Sequence, residues 1–269
     1  MKRFLKKSLS LALISLIAGA CGHAKKESQL KIINGTMGWF SEQPSVVLIY
    51  DSKYETFCTG TFISDNEVLT AAHCTENFRA DTNGFVKGTM QLLQVDVDFD
   101  GGRESKVVAE STRIVRDPRW EKYGAGVNNF DLAIVSFPEN TWGTHSKISK
   151  RHARRGDAVE MFGYGSDQDV GSRPSKMAAF RKGYNVIEQV KGGFIVFPGY
   201  PSTPRFEGDG SFASAGQGDS GGPLFVNGEL VGVVSGGVSP NEDSDYVYNY
   251  YVDLQTIEAQ SFLEFALQK

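Results

Sequence analysis

"GQGDSGGPL", Gly216 to Leu224, sets one serine between an aspartate and two glycines and closes with a proline and a leucine. The glycines leave room for backbone N–H groups to approach a reacting oxygen where a Cβ would obstruct it, so the spacing suits a nucleophile at the floor of a cleft. A Gly/Asp/Ser cluster is also the ordinary composition of a surface turn. The two readings separate on whether the rest of the chain supplies a base and an acid to orient that base.

A base stands in "VLTAAHC", where His73 follows two alanines at the end of an apolar run that begins with Val68. The other histidines are His23, in the leader, and His145 and His152, in polar, basic stretches that read as solvent-facing loops. A lone histidine beside an apolar run is ordinarily a satisfied core residue, so the acid carries the weight. "NNFDLAIVSF" places Asp131 at the head of a strand-like run, Leu132 to Phe137. An ionised carboxylate buried there is costly unless it is hydrogen-bonded, and an imidazole N–H would satisfy it.

On these residues the chain resembles the trypsin and chymotrypsin family of serine proteases. The resemblance rests on "IING" at Ile32 to Gly35, "TAAHC" at Thr70 to Cys74, "DLAIV" at Asp131 to Val135, "GDSGGPL" at Gly218 to Leu224 and "VVSGG" at Val233 to Gly237. The order His, Asp, Ser is that of this family and not of subtilisins or α/β-hydrolases. The match runs from about residue 32 to the end and includes "FGYG" at Phe162 to Gly165, where the family usually has Gly-Trp-Gly.

The resemblance implies an all-β fold of two antiparallel six-stranded β-barrels, residues 32–144 and 145–269, with the active site between them and a short C-terminal α-helix. It implies a serine endopeptidase in which Ser220 attacks, His73 moves the proton and Asp131 orients His73. The N–H groups of Gly218 and Ser220 would form the oxyanion hole, and Ser235 and Gly237 would pair with the backbone of a polypeptide substrate. Cys58 and Cys74 match the disulfide beside the family's histidine. Ser214 matches the floor of the specificity pocket; an uncharged floor gives Lys or Arg no counter-ion and implies large apolar or aromatic residues before the scissile bond. Asp243 and Asp245 fall in the segment that would form the rear wall, where an acid would restore basic specificity. Two departures stand out: the cysteines that often brace this pocket are absent, and Gly236 replaces a common tryptophan. The alternative from another class is a protease-like binding protein of the cell envelope that lost its chemistry; such proteins usually lack a triad member or a glycine of the serine loop, and this chain has His73, Asp131, Ser220 and Gly218.

The 269 residues, 40% hydrophobic and 22% charged with 30 glycines, suit a soluble, turn-rich globular protein. The net charge is −4, and residues 1–31 hold seven Lys/Arg and one Glu, so the remainder carries 21 basic against 31 acidic residues, or −10. Nothing basic invites nucleic acid. Residues 1–20 read as a signal peptide, with "MKRFLKK" as the positive n-region and "LSLALISLIA" as an apolar run too short to span a bilayer. Residues 21–31 read as a propeptide or lipid-anchored spacer. "AGAC" permits both ordinary signal-peptidase cleavage and lipidation of Cys21, and the odd thiol left over by a Cys58–Cys74 pair favours lipidation. The resemblance further implies that cleavage after Lys31, by an activating protease of basic specificity, frees the Ile32 amine to meet Asp219.

From Ile32 onward, short apolar runs such as "VVLIYD" and the alternation of "LLQVDVDFDGG" predict strands throughout. A helix is predicted only at the C-terminus, where Ile257, Phe262, Leu263, Ala266 and Leu267 fall near helical spacing. "DVDFDG", Asp96 to Gly101, begins like a calcium loop, but its twelfth position is Val107 rather than the bidentate Glu. An edge strand with outward charges explains it, and no metal or cofactor is expected.

Overall fold

The computed structural model describes residues 32–97, 103–123, 126–165, 180–200, 210–241, 244 and 246–268. The leader with Cys21 and Lys31, the stretch 98–101, and Asp243 and Asp245 lie outside the described residues.

The apolar runs form two antiparallel sheets, each curled on itself. In spatial order the first contains Arg103–Glu110, Gln91–Val97, Val46–Asp51, Thr56–Phe62, Glu67–Thr70, Ala133–Ser136 and Arg113–Arg116. Its two outermost strands are separated in sequence only by Ser111 and Thr112, so one bent strand supplies both ends and closes the sheet. The second runs Thr36–Met37, Arg181–Val186, Ala158–Gly163, Pro223–Val226, Glu229–Val238, Val247–Asp253, Phe194–Gly199 and Gln189–Lys191. Here Arg181–Val186 and Gln189–Lys191 are separated only by Ile187 and Glu188, and the same device closes it. With each bent strand counted once, both barrels have the expected six strands; the second also gains Thr36–Met37, which pairs with Arg181 and Lys182. The start of the described chain thus docks on the barrel that is built last.

Strands with nearly continuous apolar sequence are those buried on both sides: Val46 to Ile49 and Ala133 to Val135 are all buried. One core cluster, including Leu69, Ile134, Phe162 and Phe225, reaches from the first barrel into the second. Another, around Ile32, Met161, Phe197 and Tyr251, fills the second barrel. The Cys58–Cys74 disulfide is formed, as the resemblance implied.

The C-terminal helix spans Ile257–Ala266 and begins where Thr256 Oγ1 accepts the Ala259 N–H at 3.1 Å. Ala259, Phe262, Leu263 and Ala266 are buried, but Ile257 is 82% exposed and corrects the expected apolar stripe. Five residues before Phe262, it sits about 140° around the helix from that side chain. The helix packs on the first barrel, where Arg113 Nη1 donates to Ala266 O at 2.8 Å and the Phe85 and Phe265 rings meet edge to face. A second helix, Pro118–Tyr123, overturns the expectation that only the C-terminus is helical. It is too short to show a period, and its start is held locally, with the buried Arg116 guanidinium over the Trp120 ring and Arg119 paired with Asp117.

Candidate active site

The register of the first sheet brings the base to the acid. Ala133 pairs with Thr70, so continuing the antiparallel ladder past both strand ends sets Asp131 opposite Ala72, beside His73. His73 sits in a short 3₁₀ turn, Ala72–Thr75, and its side chain is 24% exposed. His73 Nδ1 lies 2.7 Å from Asp131 Oδ2, and the His73 backbone N–H donates to Asp131 Oδ1 at 2.9 Å. Ser235, from the second barrel, donates its hydroxyl to Asp131 Oδ2 at 2.7 Å. Three donors therefore compensate a carboxylate with no exposed surface. Burial, the largest influence on His73, pulls its pKa down, but the hydrogen bond and charge of Asp131 and the charge of Glu76 outweigh it and hold the imidazole above its ordinary 6.5.

Ser220 comes to this pair from the second barrel on a loop clamped to the first. The Thr59 N–H donates to Ser220 O at 2.9 Å, and Thr59 Oγ1 donates to Gly218 O at 2.9 Å. Gly221 has φ +76, and a Cβ there would strike Thr70 Oγ1 and approach Thr59 O to 2.6 Å; only glycine lets the two barrels close this far. Among the described residues no hydrogen bond joins Ser220 Oγ to His73, a contact that often tightens only when substrate arrives. The neighbouring N–H groups of Asp219, Gly221 and Gly222 bond to Gly216, Val234 and Asp219 carbonyls. Among the described residues, those of Gly218 and Ser220 have no such acceptor.

Beneath the loop, Asp219 is buried and accepts the N–H groups of Gly165 and Gly216, each at 2.8 Å, and that of Ile32. Gly163 and Gly165 are required by this arrangement: a Cβ on either would collide with the Asp219 carboxylate. Burial pushes the Asp219 pKa up to about 6 against the donors and the charge of Arg181. Its folded pKa thus lies above the unfolded value, so the folded state binds the proton more tightly and this group favours folding less as pH rises through about 6. While Ile32 remains in peptide linkage, the unfolding free energy of the wild type minus that of Asp219→Asn should therefore grow by roughly 1 kcal/mol as pH falls from 8 to 5. Chemical denaturation across that range measures the slope, whatever constant offset the Asn amide introduces.

Of the residues singled out in the sequence, His73, Asp131 and Ser235 are joined by hydrogen bonds, and Ser220 and Gly218 lie on the loop clamped beside them. Ser235 was read only as a strand residue for substrate, but its hydroxyl serves Asp131. Gly237 continues the same strand, Glu229–Val238. Ser214 is fully buried, its backbone paired with that of Ile33. Sequence reasoning missed Thr59, a threonine within a strand that carries no signal of its contacts. It also missed Asn249, whose amide bonds both Ser214 and Ala215. The grouping of Cys58, His73 and Cys74 is the disulfide beside the imidazole and leaves no free thiolate for a metal.

A family model described as Trypsin matches residues 32–259. Among curated proteins, the chain is similar to Factor V activator of Macrovipera lebetinus, 24% identical over 252 residues that cover 85% of each protein. It is 27% identical to Trypsin-2 of Salmo salar, over 77% of this chain and 84% of that one, and 24% identical to Trypsin of Saccharopolyspora erythraea, over 77% and 86%. Among solved structures, neuropsin, a serine protease of mouse brain, superposes with a TM-score of 0.60 at 16% identity, covering 87% of this chain and 99% of that one. A Glu endopeptidase superposes at 0.55 and 18% identity, over 83% and 90%.

Proposed function

The chain belongs to the trypsin family and is a serine endopeptidase, and from that premise we propose that Ser220, His73 and Asp131 carry out its acyl transfer. Ser220 Oγ attacks the peptide carbonyl as His73 takes its proton, and His73 returns that proton to the leaving amine. Water then attacks the acyl-enzyme with His73 as base again, and Ser220 is restored. Asp131, held by Ser235, fixes the His73 tautomer with Nδ1 protonated and stabilises the imidazolium. The observation that carries this reading is the pair of available N–H groups, Gly218 and Ser220, on the loop that presents the serine.

An extended polypeptide pairs with Ser235 to Gly237 as an added strand. The uncharged Ser214 floor favours uncharged side chains before the scissile bond, and no cofactor takes part. The protein is exported by its leader and made as a zymogen, with Cys21 as the lipid-bearing residue of the precursor. An activating protease cuts after Lys31. Two features support that activation step. Ile32 already lies buried with its N–H on Asp219, and its φ of +24 is costly for a β-branched residue. That torsion exists only while Lys31 is attached, so cleavage removes the strain and turns the donor into a cation.

A fluorophosphonate probe tests the assignment: it should label processed wild-type protein at Ser220 and leave Ser220→Ala unlabelled. Failure to label the processed wild type would refute the reading. Ser235→Ala should lower kcat by about tenfold, since Asp131 loses one of its donors and His73 its firm orientation. The same change should move the acid limb of kcat/KM to higher pH, because an Asp131 less neutralised by donors bonds the imidazolium more strongly. A pH profile of the variant checks this, and a limb that stays in place would reduce Ser235 to a packing role.

A further inference from the structure

The net charge of −10 over residues 32–269 hides a basic segment. Lys147, Lys150, Arg151, Arg154 and Arg155 are five of the 21 Lys/Arg of that region, set within nine residues, and no acid stands between Glu139 and Asp157. The other 16 Lys/Arg face 31 Asp/Glu, so the rest of the region carries −15. All five basic side chains are exposed, while Ser146, Ser149 and Ala153 among them are buried. The segment thus turns its small residues inward and its cations to solvent.

These residues form the crossing from one barrel to the other, and buried hydrogen bonds pin it along its length. The Ser146 N–H donates to Phe62 O at 2.8 Å, and the Ser146 and Ser45 hydroxyls meet at 2.7 Å. Midway, the Ser149 N–H donates to Leu230 O and the Leu230 N–H to Lys147 O, each at 2.9 Å. At the far end the Gly156 N–H donates to Ile187 O at 2.8 Å. The cations are therefore strung on a fixed line, at most about 30 Å long for so many residues fully extended. Binding along it would order side chains and little backbone. Lys147 pairs with Glu229, and Arg151 Nη2 with Asp157 Oδ1 at 2.7 Å. Among the described residues no acid pairs with Lys150, Arg154 or Arg155.

We propose that this crossing is a docking line for a linear anionic polysaccharide bearing carboxylate or sulfate groups. The planar forks of Arg154 and Arg155 match the paired oxygens of a carboxylate and of a tetrahedral oxyanion alike, and Lys150 adds a point charge. Width decides among polyanions. Glu229 and Asp157 border the line through their ion pairs, and Glu188 follows the Ile187 that holds Gly156. A bilayer or a DNA duplex laid over the line would also meet those acids and the −15 surface beyond them. A single sugar chain need only follow the cations. At physiological salt, charges more than about 8 Å away are largely screened, so a narrow chain senses the line and not the net charge. The proposal is independent of the catalytic assignment, and none of the five side chains belongs to the catalytic machinery.

The test uses protein that begins at Ile32 and so lacks the lysines of the leader. Its probes are heparin, polygalacturonate, duplex DNA and phosphatidylglycerol vesicles at about 0.15 M salt. Heparin should bind, and its log K should fall linearly with log salt as counterions are released. The triple variant Lys150→Gln, Arg154→Gln, Arg155→Gln should bind at least about tenfold more weakly and lose about 2 from that slope. Its thermal midpoint and its turnover of a short peptide should match wild type. A control triple with the same change of charge at other exposed sites, Arg79→Gln, Lys87→Gln, Lys191→Gln, should bind heparin as wild type does. Polygalacturonate binding beside heparin supports the proposal with carboxylate as the group recognised, and heparin binding alone supports it with sulfate. Binding of neither polysaccharide would overturn it, as would equal losses in the two triples. Duplex DNA or vesicles held as tightly as heparin through Lys150, Arg154 and Arg155 would also overturn it, because a wide polyanion would then fit as well as a narrow one.

Discussion

Ser220→Ala and His73→Ala should each reduce turnover of a peptide substrate by about 10⁶-fold, and the double variant should be scarcely worse than either alone. The geometry explains why the losses do not add. His73 Nδ1 is committed to Asp131, so its remaining nitrogen has one task, the Ser220 proton, and the serine has no other base within the described site. Losing either partner abolishes the same step. The residual rate comes from the Gly218 and Ser220 N–H groups, which still stabilise an oxyanion formed by water. Asp131→Asn should be milder than either because the base survives, though its carboxamide can present an N–H where His73 needs an acceptor. Stopped assays with enzyme in large excess over any contaminant measure the first two. A Ser220→Ala rate within tenfold of wild type would remove Ser220 from the chemistry. The wild-type profile should also rise with pH through a value above 6.5, since the base must be neutral and Asp131 holds its proton on.

The candidate site was legible because the residues proposed for the chemistry are also those that disturb local sequence rules. A carboxylate at the head of an apolar strand, as at Asp131, has to be explained by a partner. Glycines flanking Ser220 have to be explained by close approach, and the structure supplies it in Thr70, Thr59 and Phe57. The barrels were legible for the same reason: runs such as Val46 to Ile49 are too apolar and too short for anything but buried strands. What the sequence hid depends on register. Asn249 reaches Ser214 from a strand that pairs it with Phe197 on one side and Gly237 on the other, and Ser214 lies 35 positions away in the chain. Thr59 was hidden because its partners, Gly218 and Tyr164, lie more than a hundred positions away in the chain. The helix Pro118–Tyr123 was hidden because six residues hold less than two turns of period.

Cleavage after Lys31 should switch the enzyme on, and Lys31→Gln should leave it inactive and, if Cys21 is lipid-modified, bound to membrane. Asp219 is the reason. It lies directly before Ser220, and burial pushes its pKa up to about 6 against its N–H donors and the charge of Arg181. A freed Ile32 amine supplies a positive charge at the position the Ile32 N–H already occupies. Attraction between the two raises the amine above its free value of about 7.7 to 8.0. The sign follows: the ordering is complete below the free pKa and is lost as pH rises through the raised one, so the activity of processed enzyme should fall on the alkaline side while that of His73 falls on the acid side. Acetylating the Ile32 amine removes the charge and should abolish the activity. The same cut separates the peptidase from residues 21–31, so active enzyme belongs in the soluble fraction and precursor in the membrane fraction. On the uncharged Ser214 floor proposed above, lysine finds no counter-ion, so a second protease should make this cut. Fractionation with N-terminal sequencing decides each part: full activity in a chain still joined to Lys31, or in the acetylated enzyme, would break the link between Ile32 and Asp219, and efficient self-cleavage after Lys31 would break the requirement for a second protease.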